Sequence, residues 1–257
     1  MTEIILNSLS KSYKPSLFKK RVQAVDGLSL KVSSGSVYGL VGPNGAGKST
    51  TIRMLLNLIR PDRGEVTIND QLVSSGEFLH DVGYLPENPY LYDHLTLREL
   101  LQFAGRACGL STEIVSRRTQ ELTEQTGIAH ALSRRLRTFS KGMRQRAGLC
   151  FALLHDPNLV ILDEPMSGLD PLGRKMVCEL ILDLKQQGKT IFFCSHILSD
   201  TERLCDQIAI LHQGRKVREF SADDLSAFRA GERCLEDEFV AAVGQSNVTD
   251  EIQREVD

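Results

Sequence analysis

The chain has no tryptophan, only 6% aromatic residues, and no Cys-x-x-Cys pair among its six cysteines. Cys108, Cys150, Cys178, Cys194, Cys205 and Cys234 fall singly, so they read as reduced, mostly buried thiols and not as a disulfide framework or zinc site. No H-E-x-x-H or comparable metal spacing occurs. No run approaches the roughly 18 apolar residues that a membrane span needs. The opening MTEIILNSLSKSYK lacks the basic-then-apolar layout of a secretion signal, so a cytosolic location is expected. Charge of one sign is also scarce, with a net of −2. Eight acids and two bases from Gly231 onward leave the remainder near +4, which gives no electrostatic case for nucleic-acid binding. Internal repeats and low-complexity linkers are missing as well. What remains is 257 residues, 41% hydrophobic and 25% charged, enough for one large domain or two small lobes.

The apolar pattern predicts strands at Ile4–Leu9, Leu28–Val32 and Val37–Val41, then a helix over Lys48–Ile59. PDRGEV is a turn, and VTI after it a strand. From Thr96 to His155 the period becomes helical, with Leu97, Leu100, Leu101 and Ala104 at spacings of three and four. Strand-like runs return at Leu159–Leu162, Thr190–Ser195 and Gln207–Leu211. Buried apolar strands alternating with helices imply a parallel sheet covered on both faces, with the helical stretch inserted as a lobe. Leu235, Phe239 and Val243 suggest a last amphipathic helix, and the chain beyond Gly244 is expected to be a polar, flexible tail over 244–257.

GPNGAGKST, comprising Gly42, Pro43, Asn44, Gly45, Ala46, Gly47, Lys48, Ser49 and Thr50, matches G-x-x-x-x-G-K-[ST] between a predicted strand and a predicted helix. Glycines let backbone N–H groups close around phosphate oxygens without an obstructing Cβ. The helix N-terminus adds partial positive charge, Lys48 a full one, and the Ser49 hydroxyl can ligate Mg²⁺. LVILDEP supplies a second half. Asp163 and Glu164 emerge where a buried strand ends, the place where ligands bind in open α/β sheets. Successive strand side chains point in opposite directions, so the two acids are expected to do different work. Asp163 suits Mg²⁺, and Glu164 suits polarising the attacking water as general base. His196 follows another strand, TIFFCS, and taken alone is an imidazole without an assigned partner.

FSKGMRQRAGL, Phe139–Leu149, reads locally as a helix start with Ser140 as N-cap and Gly142 in the first turn. In their order and spacing, GPNGAGKST, FSKGM, LVILDEP, SGLD (Ser167–Asp170) and His196 resemble the nucleotide-binding subunit of an ATP-binding cassette transporter. The resemblance covers about residues 3–243, and FSKGM is its specific part. It implies a P-loop NTPase fold, with a mainly parallel sheet core, an N-terminal antiparallel β subdomain and an inserted helical lobe at about 88–156. FSKGMRQR together with YLPE is similar to cassettes of exporters and drug-resistance pumps.

The resemblance implies that two such subunits stack head to tail, each ATP lying between the P-loop of one and the signature helix of the other. Ser140 and Gly142 would then face the γ-phosphate held by the partner, and Asp170 would cross the interface. His196 would contact the γ-phosphate, and Tyr13 would stack on adenine, with Phe18 as competitor and a plain loop aromatic as the alternative. Lys14, Lys19, Lys20 and Arg21 read as a solvated basic face. Tyr90, Leu91 and Tyr92, exposed-looking after Glu87, fall where the family holds a short helix of the membrane subunit. The implied partners are ATP, a second ATP-binding subunit (a homodimer) and an integral membrane permease that places the chain on the cytoplasmic face. A cassette ATPase acting on nucleic acid or ribosomes is the rival, and the lack of a duplicated cassette or heptad run disfavours it. Lys141 stands where the family's signature more often has glycine, Met143 where it has glutamine, and Glu87 where it has its coupling glutamine. Glu87 is therefore expected to act as a metal-linked sensor at the ATP and Mg²⁺ site.

Overall fold

The computed structural model describes residues 2–14 and 21–256, and their side chains except those of Glu77 and 247–256. Phe18, Lys19 and Lys20, singled out above, lie outside the described residues. In chain order the strands are β1 (Ile4–Tyr13), β2 (Val22–Val32), β3 (Val37–Val41), β4 (Arg63–Ile68), β5 (Gln71–Leu72), β6 (Val82–Leu85), β7 (Leu159–Asp163), β8 (Thr190–Ser195), β9 (Gln207–His212) and β10 (Arg215–Phe220). The helices are α1 (Lys48–Leu55), α2 (Leu97–Ala107), α3 (Thr112–Gln125), α4 (Lys141–Leu153), α5 (Pro171–Gln186), α6 (Leu198–Leu204), α7 (Ala222–Arg229) and α8 (Leu235–Val256).

Every residue of β3, β7 and β8 is buried, as their near-continuous apolar sequences require. These strands occupy the centre of a six-stranded sheet ordered β10-β9-β3-β8-β7-β6. All neighbours pair in parallel except the β9–β10 hairpin. Alternate residues feed two separate cores. Val37, Val160, Leu162, Ile191 and Phe193 face the cluster that contains α4 and α5. Tyr38, Leu40, Ile161 and Phe192 face the cluster that contains α1 and the second sheet. At ~1.5–3 kcal/mol for each large side chain removed from water, this two-sided burial holds the sheet's register.

The second sheet is antiparallel, ordered β2-β1-β4-β5, and so matches the expected N-terminal β subdomain. β1 runs on to Tyr13 and β2 begins at Val22, both longer than the sequence pattern suggests, because cross-strand pairing extends them past their apolar residues. α1 stops at Leu55, four residues short of the predicted end. Asn57 turns left-handed at φ 55° and Leu58 N bonds back to Arg53 O at 2.9 Å, closing the helix before Pro61. α2, α3 and α4 fall within 88–156, between β6 and β7. They share one continuous core with the sheet, through Leu97, Leu101, Leu122, Leu149 and Leu153. The stretch expected to be a loose tail is helical through Val256. It continues α8, a helix without proline whose own first turns are anchored in the core by Leu235 and Ala242.

Candidate functional site

A parallel sheet brings the C-terminal ends of its strands to one edge, and four adjacent strands deliver the predicted residues there. β3 ends at the glycine loop, β6 at Glu87, β7 at Asp163 and Glu164, and β8 at His196. Together with Ala24 and Ser167, residues 44–50, Glu87, Glu164 and His196 line a cleft of about 440 Å³.

The loop needs its glycines for close approach. A Cβ on Gly42 would stand 2.2 Å from the Leu211 carbonyl oxygen. Gly47, at φ 111°, would place one 2.3 Å from that of Ala24. Gly47 is also the N-cap of α1, so the helix's free N–H groups open into the cleft. Lys48 is the first helical residue and is only 6% exposed. Its Nζ donates to Gly42 O at 2.7 Å and Pro43 O at 3.3 Å, and lies 3.7 Å from Glu164 Oε1.

Asp163 and Glu164 do take different partners, but strand alternation does not carry across them. Glu164 has φ 50°, outside the extended region, and its N–H bonds to Cys194 O at 3.0 Å. The left-handed turn brings its carboxylate back beside Lys48, with Oε2 2.8 Å from His196 Nδ1. His196 itself stays about half exposed. Burial raises the Asp163 carboxyl above the usual range, the Ser49 hydroxyl opposes this, and the charges of Glu164 and Glu87 add to the rise. Asp163 Oδ1 is buried without a hydrogen-bond partner. A buried carboxylate oxygen of this kind, beside the Ser49 hydroxyl, fits a divalent cation. Among the described residues no group of three or more His, Cys, Asp or Glu could form an all-protein metal cage.

Other predicted residues lie apart from this cleft. Ser140 caps α4, accepting from Met143 N at 3.2 Å, and is exposed, as the sequence suggested for a helix start. Gly142 follows in the first turn. Asp170 caps α5, accepting from Gly173 N at 2.7 Å, and lies 3.8 Å from Arg146. Tyr13 pairs with Val22 at the end of the β1–β2 ladder and is not among the residues lining the cleft. Leu91 is half-buried against the main core, whereas Tyr90 and Tyr92 are exposed. The sequence reading missed Gln145, which is buried and donates to the Glu164 and Pro165 carbonyls at 3.3 and 3.2 Å. A signal existed, since Gln145 is a polar residue in step with the apolar Leu149 and Ala152 of α4. It also missed Ser167 and Ala24, whose place on the cleft follows from packing alone.

The family model for ABC transporters matches residues 25–167. An uncharacterised ABC transporter ATP-binding protein of Nostoc is 45% identical over 225 residues, 86% of this chain and 67% of the relative. The bacitracin transport ATP-binding protein BcrA of Bacillus licheniformis is 42% identical over 206 residues, 79% of this chain and 66% of BcrA. The alignments thus span about two thirds of these relatives' own length. Among solved structures, the ATP-binding subunit of an ABC transporter superposes with a TM-score of 0.81 at 35% identity, covering 94% of this chain and 99% of that one. The chain belongs to the ABC transporter family, as an ATP-binding subunit with ATPase activity.

Proposed function

We propose that this subunit powers export through a separate membrane permease, and that two copies close head to tail around two ATP molecules. The observation that carries this reading is a mismatch within one chain. Lys48, Glu164 and His196 line one cleft with Asp163 beside Ser49 at its edge, while the start of α4, with Ser140 and Lys141 exposed, does not line that cleft. A helix N-terminus suited to phosphate gains its value only against a phosphate held by another copy.

In this scheme the N–H groups of residues 45–50 and Lys48 hold the β- and γ-phosphates. Ser49 and Asp163 would hold a Mg²⁺ ion, which when bound would offset phosphate charge. Glu164 takes a proton from water as its oxygen bonds to the γ-phosphorus. The bond to the β–γ bridging oxygen breaks, leaving ADP and phosphate. His196, bonded to Glu164, orients that carboxylate and reaches the γ-phosphate from its exposed side. Tyr13 stacks on the base. Ser140 and Gly142 complete the partner's site, and Asp170 approaches across the interface. Tyr90, 96% exposed, and Tyr92, packed edge-on against exposed Phe103 at 5.7 Å, offer an aromatic face to a permease helix. Attachment through the permease places the subunit on the cytoplasmic face of the membrane. Similarity to a bacitracin transport protein, and the FSKGM and YLPE motifs, support outward movement of the cargo.

Glu164→Gln tests the scheme. It should bind Mg-ATP, turn over at least about a hundredfold more slowly, and accumulate as a dimer in size-exclusion chromatography. A variant that stays monomeric at saturating Mg-ATP would refute ATP-driven closure.

A further inference from the structure

The start of α4 is fastened to the loop that follows Glu164. Buried Gln145 holds the carbonyls of Glu164 and Pro165, and Arg146 approaches Asp170 at 3.8 Å. Gly142 lies against the same loop, where a Cβ would stand 3.4 Å from Gly168 O. The outer end of this seam is Lys141. Its Nζ donates to Ser167 Oγ at 3.2 Å, and its stem crosses Gly168 so closely that a Cβ there would sit 2.7 Å from Lys141 Cδ. Gly168 also has φ 73°, so the position suits glycine on both grounds. Ser167 lines the phosphate cleft beside Asn44 and His196. Lys141 therefore ties a helix start that does not line its own cleft to a residue that borders it. A glycine at 141 would supply neither the stem nor the ammonium.

We propose that Lys141 is a positioning residue. By holding Ser167 it makes the 164–170 loop of one ATP cleft move with the α4 turn that completes the other. The inference rests on the composite-site reading above and deepens it, because it assigns the coupling between the two sites to one exposed side-chain contact. Lys141 is exposed and bonded to a neutral hydroxyl, so the contact contributes little to folding. Its loss should appear in coupling, with the fold intact. The competing role for the same ammonium is direct: it could leave Ser167 and bind the partner's phosphate.

ATPase rate against Mg-ATP concentration separates the two roles, measured for wild type, Lys141→Met, Ser167→Ala, the double variant and Lys141→Arg. The tether predicts that Lys141→Met and Ser167→Ala each lower the Hill coefficient from ~2 toward ~1 and reduce kcat about fivefold, with KM within about twofold. The double variant should be no worse than either single one, since both remove the same contact. Lys141→Arg should restore coupling. A rise of about tenfold in KM for Lys141→Met with the Hill coefficient unchanged overturns the tether in favour of direct phosphate binding. Additive effects of Lys141→Met and Ser167→Ala overturn it too. If Glu164→Gln dimerises normally while every variant keeps the wild-type Hill coefficient, the tether alone fails. If no Mg-ATP-dependent dimer forms, the composite-site reading fails, and this inference with it.

Discussion

Lys48, Asp163 and Glu164 are each less than a tenth exposed, whereas Ser140 and Lys141 stand in solvent at the start of α4. Both regions suit phosphate, but their construction differs. In the sheet-edge cleft the buried charged groups have close polar neighbours: Lys48 beside Glu164, Glu164 beside His196, and Asp163 beside the Ser49 hydroxyl. Burial forces this, because an isolated charge out of water costs several kcal/mol. The α4 turn bears no such constraint. Its cap satisfies one N–H, and water can serve the rest. A buried site thus reports its chemistry within one chain, while an exposed one acquires it from the surface that comes to meet it.

The contrast is most exposed to test at α4. Ser140→Arg should leave ATP binding to the same chain within about twofold, yet reduce hydrolysis by ~10²–10³, the loss expected when preorganised donors to a phosphate are blocked. Mixing it with Lys48→Ala should recover activity, because one heterodimer can assemble one intact cleft against one intact α4 turn. Loss of ATP binding by Ser140→Arg monomers, measured by calorimetry, would place α4 in its own chain's site.

In the sheet-edge cleft the damage should instead stay within the chain. Lys48→Ala removes a charge-assisted contact worth ~1.5–3 kcal/mol, so ATP affinity should fall about 10- to 100-fold in the monomer. Wild-type affinity in a fluorescent-nucleotide titration would contradict the role given to Lys48.

Asp163 offers a finer test of the cost of burial. Its pKa is raised, so the folded chain holds that proton to higher pH than the unfolded chain does. Ionised Asp163 therefore penalises folding above the raised pKa, and the penalty vanishes below the ordinary carboxylate range. Asp163→Asn should abolish ATPase activity while raising Tm by about 2–4 °C at neutral pH, from ~1 kcal/mol of relief at a buried unpaired oxygen. The gain should fade as the pH is lowered. A lower Tm at pH 7 would show that Ser49 and Lys48 already compensate the charge.

Glu87 should give the smallest effect, since it is exposed at the rim of the same cleft. Glu87→Gln should keep basal ATPase within about threefold, while Glu87→Ala should lose stimulation by the permease. Rates measured against Mg²⁺ concentration, with and without that partner, would show it. Identical stimulation for wild type and both variants would leave Glu87 as a solvent-facing acid.

The amino-acid order was sufficient for the central strands, since Val37–Val41 and Thr190–Ser195 are apolar enough to be buried on both faces and their bounds were legible without a structure. It was sufficient also for the glycine loop, whose steric need for Gly42 and Gly47 is local, and for the N-cap at Ser140, a matter of one hydroxyl and one N–H. The ends of α1 and β2 were not legible, because a left-handed Asn57 and a cross-strand ladder settle them. Nor did the local pattern show the convergence of Glu87, Lys48, Glu164 and His196, which only the family resemblance implied; they lie up to 148 positions apart and meet because four parallel strands end on one edge. Glu164 shows the limit most plainly. The strand pattern would carry its side chain away from that of Asp163, and a single left-handed φ of 50°, held by its N–H bond to Cys194 O, turns it onto Lys48 and His196. Local sterics can be read one residue at a time, but a backbone turn stabilised by a bond to a neighbouring strand exists only once that strand is in place.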